Sequence, residues 1–370
     1  MKLVQASRDD LFKPLQAVSG IVEKRHTLPI LSNVLFERIE DRLHLLATDL
    51  EIQVSTSFST PQKGGGYYLV TASARKLQDI LRALPEQAEI TLEAQNNRML
   101  VRSGRSRFTL QTLPAEDFPK LAPAVGAAAK FNISQKALRA LLLLVQYAMA
   151  QQDIRYYLNG MLVVLEADTL KAVATDGHRL AYACTKLRQE SESLQEVILP
   201  RKAVQEIVKL LNDSEDEVSV ELAPSQVKFQ IGDVVLITKV VDGKFPDYAR
   251  VIPTNYQKSF EIEREILRQA LQRVAILSNE KFRGVRWTLT EGVLRITCTN
   301  TEQEEAFEEL EINYKGEALD IGFNVTYLLD VLGSISSERV TCSFGDANSS
   351  VLITITEDSD FRYVVMPMRI

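Results

Sequence analysis

Leu11, Leu15 and Val18 fall at i, i+4 and i+7, and the same trio returns as Leu138, Leu142 and Val145 and again as Leu267, Leu271 and Val274. That spacing puts three apolar side chains on one face of an amphipathic helix. A second helix follows each time. Its apolar positions are Leu77, Ile80, Leu81 and Leu84, then Val204, Ile207, Val208 and Leu211, then Leu328, Val331 and Leu332. Between and after the helices the period changes to two. "ERIEDRLHLLATDLEIQVSTSF", "VSVELAPSQVKFQIGDVVLITKVV" and "WTLTEGVLRITCTN" alternate apolar and polar residues around turn residues, as antiparallel strands do. Each stretch reads as a short strand, a helix and strands, then a helix and strands again. The expectation is two helices and about eight strands per stretch.

The stretches are copies. Thr48-Asp49 returns 127 residues later as Thr175-Asp176, and Phe118-Pro119 returns at the same interval as Phe245-Pro246. Thr299-Asn300 stands 124 residues after Thr175-Asp176, and Met366-Pro367 closes the chain where the other copies have Phe-Pro. A period this long is a whole domain rather than a solenoid unit. The linkers are Leu121–Lys130, small and rich in Ala and Pro, and the polar turn Pro253–Lys258. The predicted organisation is three α+β domains, 1–125, 126–254 and 255–370, built from helices and antiparallel sheets.

Composition narrows the class. The 43 Lys and Arg against 49 Asp and Glu give a net charge of -6, which excludes a generally basic nucleic-acid binder. No apolar run reaches membrane-spanning length, and "MKLVQASRDD" lacks the features of a secretory signal. Cys184, Cys298 and Cys342 have no metal-ligand spacing and suggest reduced thiols in a cytoplasmic protein. Yet the helix polar faces lean basic, with Arg75, Lys76 and Arg82, Lys136 and Arg139, Arg201, Lys202 and Lys209, and Arg264, Arg268 and Arg273. Lys24 and Arg25 follow the first helix. Positive charge concentrated on an acidic protein suggests contact with a phosphate backbone without reading of sequence. Charge also segregates between strands. "VRSGRSRF" carries Arg102, Arg105 and Arg107, and "EQEEAFEE" carries Glu302, Glu304, Glu305, Glu308 and Glu309. A basic edge and an acidic edge suit head-to-tail contact between chains; two separately solvated hairpins are the bland alternative.

Candidate catalysis centres on "ATDGHRL". Asp176 and His178 there would serve a metal-dependent DNA-processing enzyme, whereas Asp-Gly is also an ordinary hairpin turn. The only histidines are His26, His44 and His178, and no zinc, nucleophile-elbow or phosphate-loop motif is present. Gly64, Gly65 and Gly66 lack the Lys-Ser/Thr that a phosphate loop requires and read as a hairpin tip. No cofactor is expected. A monomeric peptide-binding scaffold is a third possibility.

These strings together resemble the bacterial DNA polymerase III beta-subunit family, the sliding clamps. The resemblance runs from "KPLQAVSG" and "TLPILSN" through "MLVRSGRSRFTLQTLPAEDFP", "QDIRYYLNGML", "VATDGHRLA", "KFPDYARVIP" and "AILSNEKFRGVR" to "IGFNVTYLLDVL" and "YVVMPMRI". It implies the DNA clamp fold, and a non-catalytic processivity factor that slides on duplex DNA as a head-to-tail homodimeric ring. It also implies a pocket for short apolar peptides carried by the polymerase III alpha subunit, the clamp loader, other polymerases and repair factors. The matching pocket positions are Arg155, Leu158, Thr175, Gly177, His178, Arg179, Leu180, Pro246, Arg250 and Val251. Asn324, Tyr327, Ser350, Val364, Val365, Met366, Pro367, Met368 and Arg369 complete it. By the same resemblance Arg25, Gln152, Tyr156 and Tyr157 approach DNA. Lys76, Arg105, Phe108 and Leu110 of one chain face Ile276, Leu277, Glu302 and Glu304 of the other.

The helix count agrees with a dimer. Helices pack 8–10 Å apart, so six around a circle leave an opening of roughly 10 Å, too narrow for a duplex. Twelve leave about 30 Å by the same reckoning.

Overall fold

The computed structural model describes residues 2–23, 27–60, 66–122, 126, 129–188, 194–355 and 358–369. The first copy opens with β1 (Lys2–Ser7), α1 (Arg8–Ser19), β2 (Asn33–Ile39), β3 (Arg42–Thr48) and β4 (Ile52–Ser59). It continues with β5 (Tyr68–Ser73), α2 (Ala74–Ala83), β6 (Glu89–Gln95), β7 (Arg98–Ser103) and β8 (Ser106–Gln111). The second copy opens with β9 (Ala129–Ser134), α3 (Gln135–Leu143), β10 (Gly160–Glu166), β11 (Thr169–Thr175) and β12 (Arg179–Lys186). Then come β13 (Gln195–Pro200), α4 (Arg201–Leu210), β14 (Glu217–Leu222), β15 (Gln226–Ile231) and β16 (Val234–Lys239). The third has β17 (Lys258–Glu263), α5 (Arg264–Val274), β18 (Gly284–Thr290), β19 (Val293–Thr299) and β20 (Glu305–Glu311). It ends with β21 (Leu319–Asn324), α6 (Val325–Ser334), β22 (Arg339–Phe344), β23 (Val351–Ile355) and β24 (Asp358–Val365). Among the described residues each copy therefore holds two α-helices and eight strands, as its periodicities predict.

The first and third apolar trios do what their spacing requires, whereas α3 ends at Leu143 and leaves Val145 buried just beyond it. Leu11, Leu15 and Val18 are at most 2% exposed, and Leu267, Leu271 and Val274 at most 1%. Each such side chain contributes about 1.5–3 kcal/mol by leaving water. Ser7 starts α1 by accepting the Asp10 N–H on its hydroxyl at 3.1 Å, which satisfies one of the free donors of the first turn. The three cysteines are unpaired.

The chain forms two compact units. One comprises Met1–Lys136 with Gln205–Val240; the other comprises Ala137–Val204 with Val241–Ile370. The first unit has a four-stranded sheet, β1-β6-β7-β8, and an eight-stranded sheet, β5-β2-β3-β4-β16-β15-β14-β9. The second has an eight-stranded sheet, β13-β10-β11-β12-β24-β23-β22-β17, and a four-stranded sheet, β20-β19-β18-β21. The middle copy gives four strands to each unit.

Both eight-stranded sheets are joined at their centre by antiparallel pairing between two copies. In the first unit Ser55 lies opposite Val235, and in the second Tyr182 lies opposite Arg362. These positions are equivalent. Thr48 pairs with Gln53, Thr175 with Leu180 and Thr299 with Glu305, which aligns Ser55, Tyr182 and Phe307 two residues further on. Gly104 and Gly232 turn the preceding hairpins at φ of 53° and 55°, which aligns Arg107 with Val235.

Candidate functional site

The turn between β11 and β12 is held by its own side chains. The Thr175 hydroxyl donates to the Arg179 carbonyl at 2.6 Å and accepts the Gly177 N–H at 3.1 Å. Asp176 Oδ1 accepts the backbone N–H groups of His178 and Arg179 at 2.9 and 3.0 Å. Gly177 has φ of 88°, and a Cβ there would lie 2.9 Å from the Arg155 guanidinium, so glycine suits both the backbone and the space. Asp176 Oδ2 takes the Arg179 Nε at 3.1 Å. The carboxylate thus builds the turn and holds an arginine, and does not orient the exposed His178 ring as a base. The enzyme reading of "TDGHRL" loses its chemistry there.

Arg179 ties this turn to α6. Its Nη1 donates to Asp330 Oδ2 at 2.6 Å and its Nη2 to the Tyr147 carbonyl at 2.7 Å. Its Cζ lies 4.3 Å from the Tyr327 ring centroid and 5.7 Å from that of Tyr147. The side chain is 9% exposed. Burial pulls its pKa down, but the Tyr363 hydroxyl, the Asp330 hydrogen bond and the Asp176 charge outweigh that and raise it. Arg179 therefore braces the site from within, its donors already committed.

Beside this brace lies an apolar floor. Leu158, Leu180 and Val364 join Leu162, Val173, Phe245 and Ile252 in one buried cluster, with Tyr157 and Tyr248 packed against it. Thr175 and Val365 are also buried. Of the other positions assigned to the pocket, Pro246, Arg250, Val251, Met366 and Arg369 are exposed, and Tyr327, Ser350, Pro367 and Met368 are half-buried. The tail is pinned at two points, Met366 N–H to the His178 carbonyl at 2.9 Å and Met368 N–H to the Gly322 carbonyl at 2.8 Å. Asn324 has a structural duty, its side-chain oxygen capping α6 through the Thr326 N–H. Leucines, valines and pliable methionines around such a floor suit an apolar peptide.

Arg155 forms one lip. Its Nε and Nη2 fork onto the two Asp153 oxygens at 3.1 and 2.8 Å, and Nη2 also reaches the Asp176 carbonyl at 3.2 Å. The Arg155 hydrogen bonds, side-chain first and then backbone, hold Asp153 at about 2. A cavity of about 430 Å³ opens here, with Tyr147, Gln152, Arg155, His178, Arg201 and Tyr327 among its walls.

Of the four residues assigned to DNA, Arg25 lies outside the described residues. Gln152 is exposed at φ of 56°, Tyr156 is exposed and Tyr157 half-buried, the two rings meeting edge to face at 6.0 Å. The helix cations are less available than their number suggests. Arg201 donates to the Met149 carbonyl, Arg264 to the Leu332 and Ser337 carbonyls, Arg268 forks onto Glu265, and Arg273 onto Glu308.

The residues assigned to self-association lie by two strand edges. In the first unit β8 is an edge strand, with Arg105 exposed, Phe108 half-buried and Leu110 already 8% exposed, and Lys76 is exposed on α2. In the second unit β20 is an edge strand preceded by the exposed Glu302 and Glu304; Ile276 is 77% exposed and Leu277 half-buried. Phe307 on β20 is 64% exposed, and sequence reasoning passed over it among its glutamates. Sequence reasoning also missed Asp330, Tyr147 and the stack of Arg362 over Tyr182 and Tyr182 on Tyr248. One signal was available for Asp330: Asp79, Glu206 and Asp330 occupy the sixth position of α2, α4 and α6.

Comparison with known proteins agrees over the full length. The DNA polymerase III beta subunit N-terminal, central and C-terminal domain families match residues 1–122, 132–247 and 249–369. A beta sliding clamp of Pseudomonas putida is 47% identical over 365 residues, 98% of each chain. That of Escherichia coli strain K12 is 46% identical over 365 residues, again 98% of each. A crystal structure of the Pseudomonas aeruginosa sliding clamp bound to griselimycin superposes with a TM-score of 0.94 at 45% identity, covering 99% of each chain.

Proposed function

The chain belongs to the DNA polymerase III beta-subunit family, the sliding clamps, and from that premise we propose that two copies close head to tail into a ring around duplex DNA. The protein is a non-catalytic processivity factor. Its three clamp domains are taken as 1–125, 126–254 and 255–370.

One observation carries the ring: each of the two strand types that join the copies internally has one counterpart left unpaired on a sheet edge. β4 pairs with β16 and β12 with β24, and their remaining counterparts are β20 and β8, at opposite ends of the repeat. Each internal contact then forecasts one across the junction. Tyr147 and Tyr363 rings are 5.8 Å apart, and their equivalents are Ile276 and Phe108. Arg179 lies over Tyr327, and their equivalents are Glu304 and Lys76, a contact between opposite charges. Arg105 and Glu302 add complementary charge nearby. Leu110 supplies a floor already packed within its own unit. Closure buries apolar side chains, and charge selects the orientation.

Inside the ring Arg25, Gln152, Tyr156 and Tyr157 would touch DNA weakly and in a salt-dependent way, as sliding requires. The floor of Leu158, Leu180 and Val364 would take apolar peptides of the polymerase III alpha subunit, the clamp loader, other polymerases and repair factors, in the cytoplasm. A tethered polymerase that lets go stays near its template, which raises its effective concentration. The same floor is the proposed seat for griselimycin in this chain.

Sedimentation tests the ring. Ile276→Ala with Leu277→Ala is expected to give monomers that no longer stay on circular DNA, whereas the wild type stays and slides off after linearisation. A dimer unchanged by the double substitution contradicts the interface.

A further inference from the structure

We propose that Arg107 of one copy lies over the Phe307 ring of the other, making a cation–π pair at each ring junction. The proposal rests on the ring reading and adds to it a contact between a cation and an uncharged ring. Phe307 is the equivalent of Tyr182, and Arg107 of Arg362, by the strand registers that align the copies. Where those positions meet within the chain, the Arg362 guanidinium is 5.7 Å from the Tyr182 ring centroid. The state of the two free residues fits. Phe307 is 64% exposed on an edge strand otherwise rich in carboxylates. Arg107 is exposed and makes no ion pair or side-chain hydrogen bond among the described residues. Several neighbours are engaged: Glu308 holds Arg273 and Glu309 holds Arg295. The other join in the chain, Ser55 opposite Val235, has neither ring nor cation, so the stack is a feature of particular side chains and not of the strand pairing.

A guanidinium over a ring is attracted by the negative π face, and more strongly once water leaves. Such a contact is screened by salt less than an exposed ion pair. Dissociation of the ring breaks two junctions, so a loss of roughly fivefold at each multiplies to about 25-fold in the dimer dissociation constant.

The test is dissociation of the full-length dimer followed by sedimentation or by dilution of fluorescently labelled chains. Phe307→Leu keeps apolar bulk and removes the π face; it is expected to raise the dissociation constant by about 25-fold. Phe307→Tyr should restore wild-type affinity. Arg107→Met should weaken the dimer alone but add little to Phe307→Leu. Equal affinity of Phe307→Leu and wild type, or full additivity of the two changes, overturns the pair while leaving the ring intact. A wild-type protein that sediments as a monomer overturns the ring reading itself.

Discussion

Where β4 meets β16, Ser55 faces Val235; where β12 meets β24, Tyr182 faces Arg362. The backbone plan is shared. Both joins are antiparallel, and both follow a turn in which a threonine hydroxyl and an aspartate oxygen collect the backbone: Thr48 and Asp49 in one, Thr175 and Asp176 in the other. Leu50 and Gly177 sit at φ of 78° and 88° in those turns. The side chains then diverge. Gln53 accepts the Leu121 N–H at 2.9 Å, so the following segment is held down by a hydrogen bond. Leu180 occupies the matching position in the second join and belongs to the apolar floor, while Tyr248, the counterpart of Leu121, stacks on Tyr182. Strand pairing is the generic part of these joins; the pocket comes from what was substituted upon it.

The largest test of that contrast is Arg179. Its counterpart Ile52 is simply buried, 1% exposed. Arg179→Ala leaves the Asp330 and Asp176 carboxylates and the Tyr147 carbonyl short of a buried donor. It is expected to cost about 3 kcal/mol in urea unfolding and to abolish griselimycin binding. Ile52→Ala should cost a similar amount through a cavity alone, roughly 2–4 kcal/mol, with griselimycin binding unchanged. A loss below about 1 kcal/mol for Arg179→Ala would remove the brace from the account.

A smaller effect is expected at the first join, where Gly20 holds the place of Tyr147. A Cβ on Gly20 would fall 2.1 Å from Glu206 Oε2, and Glu206 is the counterpart of Asp330. Gly20 has an ordinary right-handed φ of −59°, so the obstacle is space and not backbone strain. Glu206 is buried and bonded to Lys209 at 2.5 Å, which limits how far it can swing. Gly20→Ala should lower stability by about 1 kcal/mol, and the same change should be neutral in Glu206→Ala protein. Equal cost in both backgrounds would mean that Glu206 is not the obstacle.

The contrast between the joins also separates what the sequence discloses from what it hides. Helices, strand number and the threefold repeat are legible because period and interval are properties of the string, as with Leu11, Leu15 and Val18. The family likeness named Leu158, Leu180 and Val364, and the fold brings these into one cluster. It also named Arg179, but nothing local in "TDGHRL" reveals that its partner is Asp330, 151 residues away. Likewise Arg362 over Tyr182 depends on a register between strands of different copies. Periodicity does not encode such a register. It becomes readable only once the equivalent join, Val235 opposite Ser55, is seen beside it.

The smallest expected effect concerns the lip of the pocket and its response to pH. The first join carries Leu28 where the second carries Arg155, so only the second has a carboxylate forked by a guanidinium at this place. Asp153 is held at about 2 by the Arg155 hydrogen bonds, below the unfolded value of about 3.9. A carboxylate whose pKa is depressed by folding stabilises above its unfolded value, and that contribution is lost as pH falls through the folded value. The Arg155 lip should therefore keep its form from neutral pH down to about 4 and loosen only towards 2. Carbon-13 NMR of the Asp153 carboxyl is expected to give a midpoint near 2 in the wild type, and Arg155→Ala should return it towards about 3.9. A wild-type midpoint already near 4 would mean that Arg155 is free in solution, and the lip would then be assembled only when a ligand arrives.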